Sequence, residues 1–176
     1  MIIASVSSTR QGETDRLLTE IADRLLADGK SLAGIVKATE HASQYENGCD
    51  MKVRVLPEGP VISITQNLGA GSDACRLDPG AIATVVSTVE NRSFDNVDMF
   101  ILNKFGPEEA AGRGFCAVIG AAVEREIPVL VGVGSACRDA FDAFTGGIAE
   151  TLRPDLDAIL KWCSDVPADI SLNSSE

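Results

Sequence analysis

The chain has 176 residues, 45% of them apolar and 23% charged, with a formal net charge of −11. That length suits one domain with its own core, and no apolar run reaches the roughly 18 residues a membrane span requires. The acidic balance repels nucleic acid and anionic lipid over most of the surface, which counts against a DNA- or RNA-binding module and leaves a local cationic cleft for a small anion.

Taken in chain order, "MIIASV" is a β-prone run without a basic flank, so it reads as a strand and not as a signal peptide. "ETDRLLTEIADRLLADGK" carries Leu17, Leu18, Ile21, Leu25 and Leu26 at helical spacing, with Gly29 as a stop. "SLAGIVKAT" returns to strand character, and "EHASQYENG" is a polar loop. "DMKVRVL" and "VISITQ" alternate on either side of "PEGP", which predicts a β-hairpin. "NLGAGSD" is a glycine-containing loop. Asp78 to Arg92 reads as a helix with Pro79 near its first turn.

"VDMFILN" predicts a buried strand. "PEEAAGRGFCAVIGAAVEREI" has a helical pattern softened by Gly112, Gly114 and Gly120. "PVLVGVG" is a further strand, and "RDAFDAFTGG" and "PDLDAILKWC" are two short helices, with Trp162 as core packing. The alternation predicts an α/β three-layer sandwich with a mainly parallel sheet and an inserted β-hairpin. A single domain over residues 1–165 and a polar tail over 166–176 follow. The cysteines at 49, 75, 116, 137 and 163 are odd in number and show no C-x-x-C pair. They read as reduced thiols of a cytoplasmic protein, not a disulfide framework or zinc ribbon.

The junction between first strand and first helix carries the first functional signal. Aligned on Gly12 and Thr14, residues 7 to 14 read S-S-T-R-Q-G-E-T against the phosphate-loop pattern G-x-x-x-x-G-K-[ST]. Backbone N–H groups of residues 8 to 13 and the helix N-terminus would form a concave anion site. Ser7, Ser8 and Thr9 would add hydroxyls, Arg10 a cation and Gln11 an amide. Thr14 stands at the magnesium-binding hydroxyl position, and Asp15 follows in the first turn, where an acid is favourable. Glu13 occupies the lysine position and would repel phosphates if aimed inward, by roughly 4 kcal/mol for a unit pair at 4 Å and an effective dielectric near 20. A purely structural strand–turn–helix junction is the other reading of the same residues.

Further along the chain, "VDMFILNKFGPEEAAGRGF" is similar to the second acidic segment of the small thermophilic-type nucleoside triphosphatases. "TDRLL", "CDMKVRVL", "CRLD", "NKFGPEEAAGRGF" and "IPVLVGV" together resemble a bacterial family of unknown function, some of whose members are labelled molybdenum transporter ATP-binding proteins. The resemblance implies a phosphate-loop NTPase-like fold and a nucleotide, phosphate or molybdate-like oxyanion as ligand, with Mg²⁺ accompanying a nucleotide. It also implies a degenerate site, because Asn103–Lys104 stands where the triphosphatases have Asp–Glu.

Charge complementarity predicts either a Glu13–Lys104 ion pair or Lys104 as the replacement phosphate cation. Glu109 would orient water, or act as a helix first-turn acid, as would Glu108. Arg113, between two glycines, would contact an oxyanion. Cys49, Asp50, Cys75 and Asp78 are candidates for a soft metal, and His41 for a cleft or base contact; plain loop roles are the alternative. The sequence therefore predicts a nucleotide- or oxyanion-binding protein with weak or absent hydrolysis, or a non-catalytic regulatory protein of the same fold.

Overall fold

The computed structural model describes residues 1–38, 51–66 and 76–173. The first strand, β1 (Ile3–Val6), leads into α1 (Glu13–Ala27), β2 (Leu32–Lys37), β3 (Lys52–Val55) and β4 (Val61–Ser63). Two short strands, β5 (Thr65–Gln66) and β6 (Arg76–Leu77), precede α2 (Pro79–Glu90) and β7 (Met99–Phe105). The chain continues through α3 (Pro107–Ala110), α4 (Cys116–Glu124), β8 (Val129–Val133), α5 (Arg138–Thr145), β9 (Glu150–Leu152) and α6 (Leu156–Asn173).

Seven strands form one sheet in the order β4-β3-β2-β7-β8-β1-β9. β2, β7, β8, β1 and β9 run parallel, while β3 and β4 add an antiparallel hairpin at one edge. Parallel neighbours need crossovers: β7 passes to β8 through α3 and α4, while α1 and α5 connect strands that are not adjacent in the sheet. Along β7, side chains alternate between two cores. Met99 and Ile101 join Leu17, Leu18 and Ile21 of α1 and Ile159 and Trp162 of α6. Phe100 and Leu102 join Val85 and Val89 of α2, Val118 and Ile119 of α4 and Phe141 of α5. A strand buried on both faces must be apolar at every position, which is why "MFIL" reads as a continuous run.

The predicted hairpin forms, but "VISITQ" does not stay in it. Its last two residues pair with β6, so the two-stranded β5–β6 ribbon is a separate element. The glycine-softened segment divides into α3 and α4. β9 escapes the sequence reading, because its three residues are mostly exposed and carry no alternation. Asp78 caps α2 by accepting the N–H groups of Gly80 at 2.8 Å and Ala81 at 3.2 Å, an Asx cap of the usual kind. α6 runs from Leu156 to Asn173, and Val166 is buried in the same cluster as Trp162. His41, Cys49, Asp50 and Cys75 lie outside the described residues.

Cys163 is buried in the α1–α6 core, and burial pushes its thiol from 9.0 up to about 12. The folded protein therefore keeps this proton where the unfolded chain has lost it. The contribution is fully present below pH 9 and is lost as pH rises toward 12. With iodoacetamide at pH 8, peptide mapping should find Cys163 unlabelled in native protein and labelled in denaturant. Labelling in native protein as fast as at the half-exposed Cys137 would contradict this burial.

Candidate anion site at the strand ends

The carboxyl ends of β1, β7 and β8 come together on one side of the sheet. There they enclose a cavity of 280 Å³ lined by Ser8, Thr9, Arg10, Gln11, Gly12, Thr14, Asp15, Asn103, Lys104 and residues 132–135. In open α/β sheets, ligands characteristically sit outside the carboxyl ends of parallel strands. Residues from three chain segments converge here because the β1–α1 connection is short and β8 lies between β1 and β7.

The loop is partly self-satisfied. The Ser8 N–H donates to Thr14 Oγ1 at 3.1 Å, Arg10 N–H to Ser8 Oγ at 3.1 Å, and Glu13 N–H to the Arg10 carbonyl at 3.2 Å. Gly12, with φ of 72°, then starts α1 without a side-chain cap. Among the described residues, no acceptor engages the amides of Thr9, Gln11, Gly12, Thr14 or Asp15. The expectation that every amide from 8 to 13 faces a ligand is thus corrected. Three are internally used, and the unengaged set extends into the first helical turn.

Glu13 is absent from the cavity wall. Its carboxylate accepts the Ser8 hydroxyl and pairs with the Arg10 guanidinium at 3.5 Å. The predicted Glu13–Lys104 ion pair does not form, because Glu13 is held by its own loop. Lys104 is exposed at the end of β7, lines the cavity, and has no carboxylate partner among the described residues. A Cβ added at Gly134 would stand 3.6 Å from Lys104 Cε, so the lysine stem runs past the end of β8. Ser7 does not line the cavity.

Asn103 is the buried polar centre of the floor, 2% exposed. Its Nδ2 donates to Asp15 Oδ1 at 3.2 Å, and its Oδ1 accepts the Lys37 N–H at 3.2 Å. Lys37 Nζ pairs with Asp15 Oδ2 at 3.4 Å. The Thr19 hydroxyl lies 3.1 Å from the Lys37 carbonyl. Pairing between β2 and β7 ends at Ile35 and Leu102, and β7 shifts register against β8 between Leu102 and Phe105. The Asn103 side chain therefore supplies the acceptor that Lys37 loses when the ladder ends. Only a group that both donates and accepts can serve Asp15 and Lys37 together. This explains why the strand end carries Asn where the resemblance leads one to look for an acid. Gly132, beside it on β8, cannot carry a side chain: a Cβ would lie 2.1 Å from the Asn103 carbonyl oxygen.

The other predicted site residues, Glu109 and Arg113, do not line this cavity. Glu109 is 7% exposed, and its carboxylate accepts the Gly106 N–H at 2.9 Å and the Phe115 N–H at 3.0 Å. It organises the segment between β7 and α4 and has no free oxygen aimed at the anion cavity. Gly114, at φ of 55°, wraps over it, since a Cβ would fall 2.1 Å from Glu109 Oε1. Arg113 points to Glu108 and not to the cavity, in a forked pair at 2.9 and 3.1 Å. That pair holds Glu108 below the usual carboxylate range and raises the guanidinium, both in contact with water. The two glycines of "GRG" thus serve the Glu109 turn.

A resident Mg²⁺ does not fit the donors present. Thr14 Oγ1 already accepts the Ser8 amide, the strand-end residue is an amide, and the nearest carboxylate, Asp15, is bound to Lys37 and Asn103. Among the described residues, no cluster of three His, Cys, Asp or Glu groups could hold a metal. Sequence reasoning missed Lys37, Gly132, Gly134 and Ser135. The glycines of "VGVGS" were the available signal, since a buried strand ending in small residues leaves room for a neighbouring loop.

This chain belongs to the family described as a protein of unknown function, DUF2478, with residues 3–162 matched. It is similar to a molybdenum import ATP-binding protein, ModC 2, of Bradyrhizobium diazoefficiens, with 34% identity over 165 residues. The match covers 93% of this chain and 18% of that protein, so the chain spans under a fifth of the relative's length. The solution structure of a human cancer-related nucleoside triphosphatase superposes with a TM-score of 0.59, at 10% identity and full coverage of both chains. That likeness is one of fold. Among the described residues, no helix is long and apolar enough to cross a membrane.

Two substitutions test this geometry. Asn103→Asp should lose roughly 3 kcal/mol at neutral pH, because it sets an unneutralised buried carboxylate against Asp15. One of the two acids then has a raised pKa, so stability should recover as pH falls and be lost as it rises. Urea melts at pH 5 and 7.5 read this; an unchanged midpoint at both would contradict the assigned hydrogen bonds. Glu109→Ala should cost about 2–4 kcal/mol by leaving two amides unpaired, with an unchanged m-value. A loss under 0.5 kcal/mol would remove its role as the organiser of that turn.

Proposed function

We propose that the cavity at the ends of β1, β7 and β8 binds a phosphate-like anion, borne by a nucleotide or as a free oxyanion, and that the protein binds without efficient hydrolysis. The observation that carries this reading is the combination of unengaged amides at Thr9, Gln11, Gly12, Thr14 and Asp15 with the ammonium of Lys104 on one 280 Å³ wall. N–H groups at a helix start favour negative charge through both hydrogen bonding and the helix dipole. Lys104 supplies a cation from the strand end, while Glu13, which does not line the cavity, pairs with Arg10.

The fold supports the same ligand class. Two apolar cores on opposite faces of the mainly parallel sheet favour a three-layer, phosphate-loop-like arrangement. The ATP in the relative's name and the triphosphatase of similar fold point to a nucleotide, and molybdenum import points to an oxyanion. Hydrolysis is disfavoured by the same geometry. Glu109 is committed to two backbone amides and Asp15 to Lys37, so neither carboxylate orients water at the cavity.

Thermal shift with ATP, ADP, GTP, phosphate, molybdate and tungstate, with and without Mg²⁺, tests the reading. A true ligand at about 100 times its Kd stabilises by about 2.7 kcal/mol. Lys104→Ala should weaken that ligand roughly tenfold without lowering the unliganded Tm. Phosphate release in the same samples should stay at the blank. Failure of every anion to shift the Tm would overturn the proposal in favour of a non-catalytic regulatory role, and steady turnover would overturn its second half.

A further inference from the structure

A second cavity, of 330 Å³, adjoins the first. Ile35, Ile82, Val85, Leu102 and Phe115 line it, drawn from the core that holds α2 and α4. The anion cavity, by contrast, is walled by the start of α1. Asn103 and Lys104 line both, so each space borders the end of β7.

The chemistry of this second space is one-sided. Of its polar neighbours, Glu108 is neutralised by Arg113, Glu109 is bound to two amides, and Thr65 Oγ1 accepts the Met51 N–H at 3.2 Å. Lys104 is the remaining charge, and it stands at the junction. Apolar cavities are costly to leave unfilled, and a hydrocarbon-lined cavity of about 150 Å³ already accommodates benzene. The 330 Å³ here has room for a fused two-ring body.

We infer that the natural ligand has two parts: a phosphate-like head in the anion cavity, and an apolar aromatic body in the second cavity, with Lys104 between them. This rests on the anion-binding reading above and narrows it, because a bare inorganic oxyanion would leave the apolar space unused. The ligand class is an aromatic organic phosphate, which a nucleotide and a non-nucleotide ester share.

Calorimetric titration of the full chain with inorganic phosphate, 1-naphthyl phosphate and AMP tests this. A ring phosphate should bind at least about tenfold tighter than inorganic phosphate, a difference of about 1.4 kcal/mol. Naphthyl phosphate alone gaining would identify a non-nucleotide ester, and AMP gaining would identify a nucleotide; either supports the inference. Ile82→Phe, on the half-buried side of α2, should fill the space, erase that advantage and leave inorganic phosphate binding unchanged. Met51→Phe serves as a second filler where circular dichroism shows the first to be misfolded. Equal affinity for phosphate and both ring phosphates, or an advantage that survives both fillers, overturns the two-part ligand while leaving the anion site standing. No binding of any of the three overturns both.

Discussion

The site depends on one buried amide. Asn103 ends the β2–β7 ladder and ties its last residue, Lys37, to the first turn of α1 through Asp15. Beside that tie, α1 meets the strand ends through the Lys37–Asp15 ion pair and the bond from the Thr19 hydroxyl to the Lys37 carbonyl. The interaction is buried, and a buried polar group is costly unless every donor and acceptor finds a partner. Asn103 makes one donor bond and one acceptor bond there, a combination that an ionised carboxylate in the same place could not make. A residue that looks like a lost catalytic acid is therefore a gained structural joint.

The same joint redistributes charge. With Asp15 held by Lys37 and Asn103, the nearest acid to the cavity is neutralised from behind. With Glu13 held by Ser8 and Arg10, the acid at the loop's lysine position is neutralised from the side. The residues that line the cavity include those with unengaged amides, together with Arg10 and Lys104. Two apparent departures from a phosphate loop, each unfavourable alone, are thus compatible with an anion because their charges are compensated locally. In the proposed anion site the cation stands at the strand end and not at the helix start.

Much of the fold was legible because it rests on periodicity. "MIIASV", "VDMFILN" and "PVLVGVG" are apolar at consecutive positions because both faces of the sheet are covered, and α1 shows its stripe because only one face is. β9 was not legible, since two exposed residues and one buried residue at a sheet edge carry no pattern. The length of α6 was not legible either, because polar residues such as Ser164 and Asp165 mask a face that continues through Val166. Within the site, the loop could be read from Gly12 and Thr14. The roles of Glu109 and Arg113 could not, because a carboxylate that binds backbone amides looks in sequence like one that binds water. Only the positive φ at Gly114 and its contact with Glu109 separate the two.

Binding and turnover make different demands on such a site. Turnover needs a group whose charge or proton is free to respond as the reaction proceeds. Here the acids adjoining the anion cavity are fixed in bonds that stabilise the fold, and releasing one would loosen α1 or the β7–α4 turn. Binding needs only donors that are already aimed and spared reorganisation, which unengaged helix-start amides provide. Turnover would thus have to be drawn from the groups that hold the strand ends together, whereas recognition is not. That asymmetry is the physical ground of the proposed reading, in which the anion is held and released intact.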